Sequence, residues 1–300
     1  MSAGPECLAQ VGDVEICWQR FGDAEDPPMM LIMGIGGQMI LWPDGLCEEL
    51  ATRGFGVVRF DNRDSGRSSV LESAGLPSIE SALAGELNHP PYTLSDMAGD
   101  TAGLMDALGI KAAHVVGASM GGMIAQVLAI EQPRRVLSLA SVMSTTGDPA
   151  VGLPTPAALE ALITRPPSNR DGYVEATLWA RAVIGSPGFP RDENVARANA
   201  AMAFERGVHP DGTTRQAVAM ISTGDRTERL HELDLPTVVI HGADDPLITL
   251  SGGKATAAAI PNADLVVIDG MGHDFPPGVW ARVADAIEAN TRRALQEAAD

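Results

Sequence analysis

Short apolar runs punctuate the chain, most of them halting at glycine, aspartate or serine. They read MMLIM (29–33), VVRF (57–60), HVVG (114–117), LSLASV (137–142), TVVIHG (237–242) and DLVVID (264–269). Runs this short, without polar alternation, are what parallel strands buried on both faces look like. Residues 6–20 instead alternate around Gly12 and Asp13, the pattern of a two-stranded edge hairpin. Between the runs the apolar period lengthens to that of a helix. Met97, Thr101, Leu104, Met105 and Leu108 form one stripe, with Thr93 and Asp96 placed as a capping box and Gly109 as the stop. Met123, Ile124, Val127 and Leu128 form another, which ends before Pro133, and Val279, Val283 and Ile287 mark a last helix packed back on the sheet. Strand alternating with helix predicts an α/β fold: a mostly parallel, doubly wound sheet covered on both faces.

The middle of the chain breaks this rhythm. From 146 to 231 no strand run occurs, and helix-like segments alternate with Pro and Gly breaks such as GLPTP, TRPPSNRDG and GSPGFPRDE. This predicts a core domain made of 1–145 and 232–300, with 146–231 inserted as a helical cap over the strand ends. The cap carries Leu159, Leu162, Leu178, Trp179, Phe189, Met202 and Phe204, which are expected to divide between gluing it down and lining an apolar cleft. A second irregular insertion covers 70–91.

Composition narrows the partners. Of 300 residues, 39 are acidic and 21 basic, a formal net charge of −18 that repels phosphate backbones and anionic lipid headgroups. Neither nucleic acid nor a membrane is an expected partner. The N-terminal residues show no secretory pattern, and no apolar stretch reaches 18 residues. Cys7, Cys17 and Cys47 form no CxxC pair, so they read as free thiols of a cytoplasmic protein.

The chemistry concentrates in Gly117-Ala118-Ser119-Met120-Gly121, which follows a strand run and opens a helix. Strand, tight turn and helix in that order form a nucleophile elbow: small flanking residues let the turn close and present the serine hydroxyl to a cleft. A serine needs a base to take its proton and an acid to orient that base, and with such an elbow they follow in the order serine, acid, histidine. Of the six histidines, His273 stands in a glycine-rich loop after the last strand run and is the expected base. The preceding strand leads into Asp244-Asp245-Pro246, where two carboxylates compete as the acid. Asp245 is favoured by its position before proline, which biases it to an extended or turn shape. Asp244 stays open as an alternative, with Asp148 a distant third. The oxyanion of an acyl-transfer intermediate needs two N–H donors. Met120 and, from the loop Gly34-Ile35-Gly36-Gly37, Ile35 are the candidates, with Gly34 the fallback. Gly34, Gly36 and Trp42 are expected to contact substrate. The segment 61–68, DNRDSGRS, reads as a buried polar turn that braces neighbouring loops.

Taken together, MGIGGQ…WP, FDNRDSGRS, HVVGASMGG, VVIHGADDP and GMGH resemble the α/β-hydrolase superfamily, and within it the aclacinomycin methylesterase-like hydrolases. The resemblance implies a serine esterase acting on a small-molecule ester, a methyl ester of a polyketide-derived aromatic compound among the family's substrates, and it favours Asp245 as the acid. No metal or organic cofactor is expected. Thioester, lactone, carbon–carbon or perhydrolase chemistry with the same triad, or a non-catalytic receptor of the same fold, are the competing readings. Many relatives carry His-Gly where this chain has Met33-Gly34, which makes that wall apolar.

Overall fold

In a computed structural model, which describes residues 3–297, the runs become strands of a single sheet. Met1, Ser2 and residues 298–300, the outermost parts of the predicted core, lie outside the described residues. The hairpin is β1 (Cys7–Val11) and β2 (Val14–Phe21), antiparallel to each other. The remaining strands are β3 (Pro28–Ile32), β4 (Gly56–Phe60), β5 (Ala113–Ala118), β6 (Val136–Val142), β7 (Thr237–Gly242) and β8 (Asp264–Ile268). The order across the sheet is β1-β2-β4-β3-β5-β6-β7-β8. Only the two strands of the hairpin run against their neighbours; β4 to β8 pair in parallel through β3.

The lack of alternation in the apolar runs is explained by two cores, one on each face. Met30 and Ile32 of β3 point into one, with α3 (Leu94–Ala107) and α4 (Met120–Glu131) above them. Met29 and Leu31 point into the other, under α1 (Asp44–Thr52) and the C-terminal helix, 280–297. Successive side chains of a strand face opposite ways, so a strand covered on both sides must be apolar throughout. The predicted start of α3 is present: the Asp96 carboxylate accepts from the Thr93 N–H at 2.7 Å and from its hydroxyl at 2.9 Å.

The stretch 70–91 contains one short helix, α2 (Ile79–Leu83), which packs on the helical insertion. That insertion lies between β6 and β7 and comprises α5 (Pro156–Ile163), α6 (Arg170–Ile184), α7 (Glu193–Arg206), α8 (Pro210–Thr223) and α9 (Thr227–Leu230). After β7 come α10 (Leu250–Ala259), β8 and then α11 (Trp280–Glu297). The fully buried Arg226 clamps the insertion where it leaves and rejoins the core. Its backbone N–H donates to the Thr146 carbonyl at 3.0 Å, and its guanidinium donates to the Thr145 carbonyl at 3.0 Å and to Gln126 on α4 at 3.1 Å. Burial among these neutral acceptors pushes the guanidinium pKa down to about 10. Among the apolar residues of the insertion, Leu159, Leu162, Trp179 and Met202 are exposed, so they do not glue it down; Leu178, Phe189 and Phe204 are half-buried.

Gly117 and Gly99 differ sharply in surroundings. A Cβ at Gly117 would stand 2.1 Å from the Gly121 carbonyl oxygen, whereas one at Gly99, inside α3, would meet nothing within 4 Å. Gly117→Ala is therefore expected to destabilise by about 3 kcal/mol, since backbone must move to admit it. Gly99→Ala is expected to stabilise by roughly 0.5–1 kcal/mol through helix propensity. Urea unfolding of the two variants measures both values, and equal effects would contradict this packing.

Candidate active site

The parallel strands deliver their loops to one edge of the sheet, the C-terminal ends where ligands of open α/β sheets bind. Ser119 follows β5 directly and has φ 58° and ψ −123°, a left-handed conformation that a non-glycine residue adopts only under strain. Its surroundings hold it there. The Ser119 N–H donates to the Val142 carbonyl at 2.9 Å, and the Ser119 carbonyl accepts from Gly122 N–H at 2.9 Å and from the Ser144 hydroxyl at 2.8 Å. A Cβ at Gly121 would lie 2.1 Å from the Ile32 carbonyl oxygen, and one at Gly122 would lie 2.6 Å from Ser144 Cβ. Each small residue of the motif is thus demanded by a specific neighbour.

The loop after β3 closes over this turn. A Cβ on Gly34 would stand 2.9 Å from Ser119 Cβ and 3.3 Å from its Oγ, so only glycine lets the loop come so near. Ile35 and Met120, the two candidate oxyanion donors, have N–H groups without a protein acceptor among the described residues. The neighbouring Gly36 N–H is already committed, donating to Gln216 Oε1 at 2.7 Å, and Gly36 itself lies beside Thr213 of α8.

Asp245 and His273 are brought together from the loops after β7 and β8. One Asp245 oxygen lies 2.7 Å from His273 Nδ1; the other accepts from the N–H groups of Leu247 at 2.9 Å and Ile248 at 3.0 Å. The carboxylate is fully buried, so two backbone donors and one imidazole replace its water. His241 braces this loop from beneath, its Nε2 2.7 Å from the Ile248 carbonyl oxygen, and burial holds its pKa below the ordinary histidine range. Asp244 instead accepts from Gly270 N–H at 2.8 Å, tying the two loops, while Asp148 accepts from Ala150 N–H within its own loop. The Ser119 hydroxyl makes no hydrogen bond among the described residues, so the serine-to-histidine contact is not made in this conformation. Such contacts often tighten only when substrate binds.

Trp42 does not fit the expected contact with substrate. It is fully buried, its ring stacked on Phe275 with centroids 4.8 Å apart, and its carbonyl accepts from Arg59. A side chain sealed in the second core reaches no ligand. Two surface clefts, of about 430 Å³ between α6 and α7 and about 620 Å³ near Leu137 and Leu233, are lined by none of Ser119, Asp245 and His273.

The DNRDSGRS segment forms the buried network expected of it, and its charged partners Arg206 and Arg215 come from the insertion. Asp61 accepts from Met39 N–H at 2.7 Å, Arg67 N–H at 3.0 Å and Arg206 of α7 at 2.5 Å. Asp64 accepts from Arg215 of α8 at 2.6 and 2.8 Å, from the Tyr92 hydroxyl at 2.7 Å and from Leu71 N–H at 2.8 Å. Burial opposes the Asp64 charge, but these donors outweigh it and hold its carboxyl below the usual range. Gln216, one residue on, donates to the Arg63 carbonyl at 2.7 Å while gripping Gly36. Sequence reasoning missed Arg206, Arg215 and Gln216, because one polar residue on a helix of a polar insertion carries no motif. Arg67 turns away to Glu6, 2.6 Å distant, and is half exposed.

A family model described as the alpha/beta hydrolase fold matches residues 27–276. The chain is similar to a rhodomycin D methylesterase, DauP, of Streptomyces sp. (strain C5): 29% identical over 310 residues, covering 97% of this chain and 99% of that protein. It is 28% identical to the rhodomycin D methylesterase DnrP of Streptomyces peucetius, covering 94% and 96%. Among solved structures, a hydrolase from Pseudomonas aeruginosa PA01 superposes with TM-score 0.68 at 25% identity, covering 97% and 98%.

The Asp64–Arg215 pair yields a stability prediction. Arg215→Ala leaves a buried carboxylate without its cation and is expected to cost about 3–5 kcal/mol. The loss is measured by urea unfolding at neutral pH; a change under 1 kcal/mol would show that the pair is not what couples α8 to the loop after β4.

Proposed function

The chain belongs to the α/β-hydrolase fold family, and on that premise we propose that it is a serine-dependent carboxylic-ester hydrolase working through an acyl-enzyme. The observation that carries this reading is the 2.7 Å Asp245–His273 pair, held at the same sheet edge as the strained Ser119 turn. Ser119 Oγ attacks the ester carbonyl as His273 Nε2 takes its proton, and Asp245 steadies the imidazolium through Nδ1. The carbonyl oxygen, now negative, is received by the N–H groups of Ile35 and Met120. His273 returns the proton to the departing alcohol. Water then attacks the acyl-serine, giving its proton to His273; the acid is released and Ser119 regains its hydrogen.

The N-terminus of α4 starts at Met120, so its aligned peptide dipoles favour negative charge where the oxyanion forms. Gly34 contacts substrate at the floor of this site; Gly36, committed to Gln216, holds the loop in shape. Residues 146–231 act as a cap on a core made of 1–145 and 232–300, with Arg226 as the clamp at its root. The methylesterases DauP and DnrP among the relatives support a methyl ester of a hydrophobic or polyketide-like small molecule as the substrate; the apolar Met33 expected beside the site is buried in the second core instead. Among the described residues no helix is long and apolar enough to cross a membrane, and the three free cysteines support a cytoplasmic setting.

Ser119→Ala is expected to keep the parental melting temperature while turnover of p-nitrophenyl esters falls by on the order of 10⁶-fold. A fluorophosphonate should label the parent at Ser119, read by peptide mass spectrometry; labelling elsewhere would refute the assignment.

The two neighbouring carboxylates divide the same reaction. Asp245→Asn is expected to lower kcat by about 10⁴-fold, because an amide cannot stabilise the imidazolium and favours the wrong tautomer. Asp244→Asn, which only weakens the tie to Gly270, should retain most activity. Steady-state kinetics on both purified variants decides, and the reverse order would move the acid role to Asp244.

A further inference from the structure

Helix α6 has one face in water and one towards the core. Asp171, Glu175, Trp179 and Ala182 are exposed, while Tyr173, Val174, Thr177, Leu178, Arg181 and Ile184 are partly or fully buried. Arg181 stands seven residues after the buried Val174, on the same side of the helix. The end of this face is stitched to the loop that carries His273. The His273 N–H donates to the Ile184 carbonyl at 2.7 Å, Gly272 N–H to the Ser186 hydroxyl at 2.9 Å, and Gly188 N–H to the Gly270 carbonyl at 2.9 Å. Arg181 therefore sits less than one helical turn from a direct contact with the backbone of His273.

Its guanidinium is unusual in this protein. The four buried arginines are engaged: Arg59 with Gln19, Arg206 with Asp61, Arg215 with Asp64, and Arg226 with Gln126 and two carbonyls, while the partly buried Arg20 lies over the Trp18 ring. Among the described residues, Arg181 has no hydrogen-bond acceptor and no carboxylate within ion-pair distance. Asp274 is the nearest source of negative charge, but its carboxylate is taken by the Ser186 N–H, at 3.0 Å, and by the Ser186 hydroxyl. Arg191, on the loop after α6, adds a second positive charge to the neighbourhood. The residue is partly buried, with protein around most of its side chain. That enclosure works against the cation and lowers its pKa. A cation so enclosed is costly until an anion meets it.

We propose that Arg181 is an anion-recognition residue of the substrate cleft, receiving an ionised carboxylate or phenolate carried by the ester substrate. The inference rests on the esterase reading above. The unpaired guanidinium on the inner face of α6, next to the His273 loop, is the juxtaposition behind it. A planar guanidinium donates two parallel N–H groups to the oxygen pair of a carboxylate, or both to the single oxygen of a phenolate, and so fixes the substrate's orientation as well as its charge. On a chain of net charge −18, a local pair of arginines also favours the approach of an anionic molecule to this loop.

Two measurements test this on the full chain. Isothermal titration of Ser119→Ala protein with benzoate and with p-nitrophenolate at pH 8 should show binding of at least one, weakened about ten- to a hundredfold by adding Arg181→Gln and less by Arg181→Lys. Binding of benzoate alone identifies a carboxylate partner, and binding of p-nitrophenolate alone a phenolate. If neither anion binds, or Arg181→Gln binds as tightly as its parent, the proposal is overturned. In the active enzyme, the ratio of kcat/KM for mono-p-nitrophenyl glutarate to that for p-nitrophenyl valerate should fall at least tenfold in Arg181→Gln and hold in Arg197→Gln, a change on the outer surface of the insertion. An equal fall in both variants would make the effect one of general charge and overturn the proposal too. If the parent hydrolysed no ester at all, the esterase reading would fail, while the titration would still decide the role of Arg181.

Discussion

Close backbone approach around Ser119 is the constraint on which the rest of the site depends. The turn from β5 into α4 folds back so tightly that Gly117 meets Gly121, Gly121 meets the end of β3, and Gly122 meets Ser144. Nothing with a Cβ fits at these positions, and in exchange Ser119 is held with positive φ at the rim of the sheet. The same closeness brings Gly34 against the serine, which leaves Ile35 and Met120 as unengaged N–H donors nearby. Strain at one residue is sustained by contacts at four glycines, so it can persist in the folded protein at little local freedom to relax.

The loop over that turn is shaped from a distance. Gln216 of α8 grips Gly36, while Arg206 and Arg215 reach from α7 and α8 to the carboxylates of Asp61 and Asp64 after β4. Each carboxylate is dry and would be costly alone, so insertion and core are coupled: neither set of charges is tolerable without the other. A buried network of this kind fixes one relative placement of the parts, because a small shift leaves several donors and acceptors unpaired at once. The helical insertion is thereby joined to the geometry of the loop beside Ser119.

On the other side of the site, Asp245 and His273 depend on backbone groups. Leu247 and Ile248 N–H fix one oxygen of Asp245 so that the other can face His273, and His241 pins the same loop through Ile248. His273 is in turn tethered by its own N–H to Ile184 in the insertion. The segment 185–188, which reads in sequence only as a Gly-Pro break, is what docks α6 to the histidine loop. The insertion and the His273 loop thus share one contact surface, with Arg181 a turn away from it.

The one-dimensional pattern was enough for the sheet. Apolar runs without alternation can be satisfied only by burial on both faces, and GASMG between a strand and a helix can close only as the strained turn that the structure contains. The hairpin, the capped start of α3 and the bracing role of residues 61–68 followed from local chemistry of the same kind. The tertiary structure decided whatever depends on which distant groups meet. It distinguished Asp245, bonded to His273, from Asp244, bonded to Gly270, two adjacent aspartates that local propensity treats alike. It sealed Trp42 in the core against Phe275, and turned Leu159, Leu162, Trp179 and Met202 outward. It also brought Gln216 to the loop after β3 and Arg206 and Arg215 to the carboxylates after β4, and left Arg181 without a partner among the described residues. Periodicity reports that a side chain faces inward or outward on its own element; it holds no information about what the facing element presents, and for polar and aromatic side chains that partner determines the role.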